Sequence, residues 1–95
     1  MKCDVVVRPR AEADLHKAFA WYENQRDGLG QEFVSEIAHC VRLLENDPHQ
    51  RPLYYRGFRR CLVRRFPYKL FYCIEKQTVV VFRVIHVSRD HSRLV

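Results

Sequence analysis

A chain of 95 residues, 47% hydrophobic and 29% charged, is long enough to bury a core and is read as a single domain over residues 1–95. Its formal charge of +6 is unevenly spread: residues 1–50 hold six Lys or Arg against nine acids, a net of −3, and residues 51–95 hold eleven against two, a net of +9. No apolar run approaches the roughly 20 residues that a bilayer-spanning helix needs, so a membrane protein is excluded, and the basic half favours phosphate backbones or an acidic protein segment as partner.

Residues 3–8, CDVVVR, are short and β-branched, which suits an N-terminal strand. Pro9 closes it and is well placed in the first turn of a helix, where its missing N–H costs nothing. From there Ala11, Leu15, Ala18, Phe19 and Tyr22 recur at helical spacing, with Glu12 and Asp14 near the positive end of the helix dipole, so the first helix runs to about Gln25. Trp21 lies beside that stripe, at the edge of the core or partly exposed, with a docking role as the alternative to a structural one. Asp27-Gly28-Leu29-Gly30 breaks the helix and supplies a glycine for a left-handed residue; so short a break predicts an antiparallel helical hairpin. In the second helix Phe33, Ile37, Cys40, Val41 and Leu44 form one stripe, and Asn46-Asp47-Pro48 stops it.

His49 to Gly57 reads as a loop anchored by Tyr54 and Tyr55. Arg59 to Glu75, RRCLVRRFPYKLFYCIE, reads as two strands joined at a Phe66-Pro67-Tyr68 corner. Alternation puts Arg59, Cys61, Val63 and Arg65 on one side of the first strand and Arg60, Leu62, Arg64 and Phe66 on the other. In the second strand Tyr68, Leu70, Tyr72 and Ile74 make an apolar face, opposite Lys69, Phe71, Cys73 and Glu75. A turn at Gln77-Thr78 leads into TVVVFRVIHVSR, a central strand, on which Val80, Phe82, Val84 and His86 share one face and Val79, Val81, Arg83, Ile85 and Val87 the other. Arg83 in so apolar a strand is unusual and is read as facing the same basic groove as the preceding hairpin, in preference to snorkelling at an open face. The expected architecture is α+β, in the order β-α-α-β-β-β, with a helical hairpin packed on a small, mainly antiparallel sheet.

Cys3, Cys40, Cys61 and Cys73 include no C-x-x-C pair and follow no signal peptide, so they are expected as reduced, mostly buried thiols in a cytoplasmic protein. His86 and His91 lack further ligands at metal-binding spacing, and neither a metal nor another cofactor is expected.

The segments DLHKAFAWYENQRDGLGQEFVSEI, ENDP, RRFPYKLFY and RVIHVSRD, in this order and spacing, resemble the ParE/RelE superfamily of bacterial toxins from type II toxin-antitoxin modules, over nearly the whole chain. The resemblance implies the same β-α-α-β-β-β order, and a small basic toxin covered by an extended acidic antitoxin encoded beside it. RelE-like members cut messenger RNA on the ribosome with basic residues on the sheet. Carried onto this chain, that pattern gives Arg60, Lys69 and Arg89 as catalytic candidates, while a second basic position falls on Leu62 and a C-terminal tyrosine position on Val95. His86 would then be the general base, since imidazole titrates near neutrality, or else a histidine packed on the sheet. The F-P-Y and H-x-x-R-D pieces are closer to the ParE branch, whose members act on DNA gyrase. That branch places function on a protein surface of the helical hairpin and basic tail. Arg59, Arg64, Arg65, Arg83, Arg93 and Trp21 are the candidates for binding target or antitoxin. Gyrase inhibition is the leading expectation, ribosome-dependent mRNA cleavage the second, and a non-toxic nucleic-acid binding module the third.

Overall fold

The computed structural model describes residues 2–88. Strand β1 (Asp4–Val7) leads into helix α1 (Pro9–Gln25), which turns into helix α2 (Leu29–Asn46). A 3-10 turn over Pro48–Gln50 follows, then strands β2 (Leu53–Tyr55), β3 (Phe58–Leu62), β4 (Tyr68–Glu75) and β5 (Thr78–His86). The five strands form one mixed sheet in the order β1-β5-β4-β3-β2, antiparallel except for the parallel pairing of β1 with β5. The α+β class and the helical hairpin are as expected, and the first strand inserts beside the last. The stretch read as the loop His49–Gly57 is instead the 3-10 turn and β2, a fifth strand.

The hairpin closes through side chains as well as the turn. Gly28 takes φ 89, the left-handed conformation that glycine adopts without a Cβ penalty. The Glu23 carboxylate accepts the Gly28 and Gly30 N–H groups at 2.8 and 2.9 Å, satisfying donors that the start of α2 leaves open. Gly30 sits where a Cβ would come within 2.8 Å of the Phe19 carbonyl oxygen, so the two helices approach closest there.

Phe33, Ile37, Cys40 and Leu44 of α2 are buried together with Ala11, Ala18 and Tyr22 of α1 against the face of β4 that carries Leu70 and Tyr72. Phe19, placed in the α1 stripe by spacing, stands at its exposed rim. β3 ends at Leu62, earlier than expected, and residues 63–67 form a tight turn in which Arg65 has φ 69. Phe66 belongs to that turn, yet it is buried edge-on to Tyr22 at 4.9 Å and to Phe33 at 5.3 Å, contacts worth about 1 kcal/mol each beyond burial. Tyr72 donates its hydroxyl hydrogen to the Pro48 carbonyl at 2.8 Å, which fixes the 3-10 turn beneath the sheet. Cys40 and Cys61 are buried as expected, whereas Cys3 and Cys73 are half-buried, and all four are free thiols.

One irregularity re-aims β5. Phe71 pairs with Arg83 and Tyr72 with Val81, so Phe82 is an extra residue, a bulge. The alternation expected along β5 therefore breaks in its middle: Val84 joins Val79 and Val81 in the core under the helices. Phe82 and Ile85 pack with Phe58 and Phe71 in a second cluster on the opposite face. No helix among the described residues is long and apolar enough to cross a membrane.

Candidate functional site

The basic hairpin does not present its arginines on one face. Arg60 stands opposite Phe71 on the face away from the helices, and its guanidinium stacks over the Tyr54 ring at 3.9 Å. Lys69, opposite Leu62 on that same face, is only 4% exposed, with its ammonium 5.7 Å from the Phe71 ring. Burial, and then the charge of Arg60, holds the Lys69 pKa below its ordinary value. Arg59 is on the helix-facing side, opposite Tyr72, and donates to the Arg51 carbonyl.

Arg64 and Arg65 lie in the turn after β3 and are held by the acidic side of α2. Arg65 pairs with Glu32 at 2.7 Å and approaches Glu36 at 3.8 Å; Arg64 approaches Glu36 at 3.9 Å and donates to His39 Nε2 at 3.3 Å. Arg26 reaches the second Glu32 oxygen at 3.1 Å. The Arg65 and Arg26 hydrogen bonds hold the Glu32 carboxyl below the usual carboxylate range.

Arg83 does not face a basic groove. β1 pairs with β5 only as far as Val81, where the Arg8 N–H reaches the Val81 carbonyl at 3.0 Å, and beyond that point α1 runs along the open edge of β5. Asp14 of α1 takes the vacated place. Its Oδ2 accepts from Arg83 Nε at 2.7 Å and from the Val84 N–H at 2.9 Å, and its Oδ1 accepts from Arg83 Nη2 at 3.0 Å. Arg83 is thus committed to a largely buried bidentate ion pair.

Beside this pair a cleft of about 250 Å³ opens between α1 and β5, walled by Lys17, Trp21, Tyr68 and His86. Trp21 is 59% exposed and meets the Tyr22 ring edge-on at 5.1 Å. His86 packs edge-on to Tyr68 at 5.4 Å. Its Nδ1 accepts the Ser88 N–H at 3.2 Å and lies 2.9 Å from the Ser88 hydroxyl, so in the neutral ring the proton is on Nε2.

Lys69 and His86 consequently lie on opposite faces of the sheet, because Lys69 pairs with Ile85 and His86 with the helix-facing Tyr68. Arg60 and Lys69 share a face; His86 and Trp21 share a cleft on the other. Arg89 and Arg93 lie outside the described residues. Lys17 was not singled out by sequence reasoning, and Asp14 and Tyr54 were read only as a helix-start acid and a loop anchor. The signal for Asp14 was present, as an acid in line with the Ala11 and Ala18 stripe of its helix, while Arg83 was a cation without a partner in an apolar strand.

Against protein families, the model for the ParE toxin of the type II toxin-antitoxin system parDE matches residues 5–91. No curated protein matches the sequence. Among solved structures, the chain is similar to one of the chromosomal ParDE toxin-antitoxin system of P. aeruginosa, with TM-score 0.79 and 19% identity over 90% of this chain and 96% of that one. It is also similar to the RelBE2 toxin-antitoxin complex of Mycobacterium tuberculosis, with TM-score 0.65 and 26% identity over 90% and 99%. A mutant E. coli toxin RelE in the free state matches with TM-score 0.69 and 16% identity over 93% and 86%. The family match spans the described elements from the second residue of β1 onward, and the chain therefore belongs to the ParE toxin family of type II toxin-antitoxin systems.

Proposed function

We propose that this toxin arrests growth by inhibiting DNA gyrase, through a protein surface that includes Trp21 and Lys17 on α1, and that a cognate acidic antitoxin neutralises it. The observation that carries the reading is that Lys69 and His86, the cation and the base among the ribonuclease candidates, stand on opposite faces of the sheet. A ribonuclease must take a proton from a 2′-hydroxyl while a cation offsets charge on the adjoining phosphate, so base and cation need to reach one small site. Lys69 and His86 are on opposite faces, and an exposed leucine, Leu62, occupies a second basic position. An inhibitor that works by binding needs no such convergence. The exposed Trp21, a large rigid aromatic beside a cation, is the kind of side chain that anchors protein interfaces.

The direct test is the supercoiling reaction of purified gyrase with purified toxin added. Loss of supercoiling with build-up of cleaved DNA is expected, weakened by Trp21→Ala and unaffected by Arg60→Gln on the opposite face of the sheet. Intact supercoiling, together with mRNA cleavage on translating ribosomes that His86→Gln abolishes, would overturn the proposal in favour of the ribonuclease.

A further inference from the structure

Two of the four free thiols meet in the main core. Cys40 of α2 and Cys61 of β3 are 1% and 0% exposed, and their Sγ atoms lie 3.6 and 3.9 Å from one acceptor, the Leu62 carbonyl oxygen. The thiols are also hydrogen-bonded to each other, and the Arg51 guanidinium, just beyond the 3-10 turn, hydrogen-bonds Cys61. Arg51 has no ion pair with a carboxylate among the described residues, and its Nη1 is buried without a hydrogen-bond partner.

A buried free cysteine commonly packs as a small apolar side chain. Packing alone does not account for the guanidinium, since a buried cation without a counter-charge is costly. Tyr72 is no counter-charge, because burial raises its pKa and its hydroxyl hydrogen goes to the Pro48 carbonyl. Cys61 is the acid that Arg51 touches. The hydrogen bond from Cys40, aided by the Arg51 charge, holds the Cys61 pKa below its ordinary value against the effect of burial. The same hydrogen bond, then burial and the nearby Glu36, push that of Cys40 up. One sulfur is disposed to attack and its neighbour to keep its proton.

We propose that Cys61 and Cys40 form a peroxide-reactive dithiol, with Cys61 as nucleophile and Cys40 as resolving thiol, that closes a disulfide between β3 and α2. The Cys61 thiolate attacks hydrogen peroxide: an S–O bond forms, the O–O bond breaks, and the departing hydroxide takes up the proton that Cys61 released, leaving a sulfenic acid and water. The Cys40 sulfur then attacks the sulfenic sulfur. The S–S bond forms, the S–O bond breaks, and the hydroxide leaves with the Cys40 proton as a second water, so the two thiols are oxidised and the peroxide is reduced. Arg51 and Leu62 also line an open groove of about 350 Å³ beside β2, so residues that touch the thiols also touch solvent. Such an approach suits a small hydroperoxide better than a bulky disulfide such as oxidised glutathione. The site is independent of which target the toxin meets.

Non-reducing peptide mapping of the folded toxin by mass spectrometry, before and after hydrogen peroxide, tests the inference. A peptide pair joined through Cys40 and Cys61 is expected, lighter by two hydrogens and released by dithiothreitol, while oxidised glutathione should leave no adduct on either thiol. In Cys40→Ser, peroxide should leave a sulfenic acid on Cys61 that dimedone traps. Arg51→Gln should slow the link about tenfold at neutral pH, and Arg51→Lys should restore most of the rate. A native circular dichroism spectrum confirms that each variant is folded. Native toxin in which Cys40 and Cys61 stay reduced while Cys3 or Cys73 oxidises, or in which they link only in urea, would overturn the site. An unchanged rate in folded Arg51→Gln would overturn the role given to Arg51, and a link formed as fast by oxidised glutathione as by peroxide would overturn the choice of oxidant.

Discussion

Asp14 ties helix α1 to strand β5. One of its oxygens satisfies both the Arg83 guanidinium and the Val84 N–H, the main-chain donor that β1 leaves open by ending at Val7. Removing one partner of a largely buried pair leaves the other charge uncompensated, so Asp14→Asn should lower stability by about 3 kcal/mol, read from urea denaturation. An unchanged denaturation midpoint would contradict the assignment. The sequence marked Arg83 as anomalous but could not name its partner, because Asp14 is 69 residues away and nothing local couples them. Glu32 gives a prediction in pH. Its carboxyl is held below the ordinary 4.5 by hydrogen bonds from Arg65 and Arg26 in the folded chain alone. A depressed pKa stabilises the fold above the unfolded value, and that contribution disappears as pH falls through the folded value. Stability should therefore decline on acidification below about pH 4.5 with a slope that Glu32→Gln makes shallower. Identical slopes for the two chains would contradict the pairing.

At the scale of elements, the α1–α2 turn is closely packed at Gly30. A methyl group at Gly30 would collide with the Phe19 carbonyl oxygen and the Glu23 carboxylate, so Gly30→Ala should force the helices apart and cost about 1–3 kcal/mol. Gly28→Ala should cost about 1 kcal/mol through backbone strain alone, since its Cβ would meet nothing within 4 Å. Thermal melts separate the two, and equal losses would contradict the contact at Gly30. Both helices and the strand after Pro67 were legible because their signals are local: a 3.6-residue stripe, a two-residue alternation, glycine and proline at the breaks. β2 was not, since Leu53–Tyr55 is too short to show a period. The Phe82 bulge was not legible either, because it is a property of the register between β4 and β5 and not of β5 alone. That one inserted residue is what moves Val84 into the main core and separates it from Phe82.

At the scale of the molecule, the acidic first half answers part of the basic second half. Glu32 and Glu36 hold Arg64 and Arg65, and Asp14 holds Arg83, so three of the arginines expected to meet a partner are engaged within the fold. The candidate site was legible in the sequence as a region of charge and as a family resemblance. Its geometry was not, because side chains adjacent in sequence point to opposite faces and the counter-charges come from distant helices. Among the described residues, the α1–β5 cleft with Trp21 and the β2 edge with Leu53, Leu62 and Arg60 are turned outward on different sides of the sheet. On this account the first surface meets the target. The measurement that tests the central claim most directly is pulse-labelling of new DNA and new protein in bacterial cells just after the toxin is induced. Gyrase inhibition predicts that thymidine incorporation falls first while amino-acid incorporation continues. An immediate fall in amino-acid incorporation, with DNA synthesis declining only later, would contradict it.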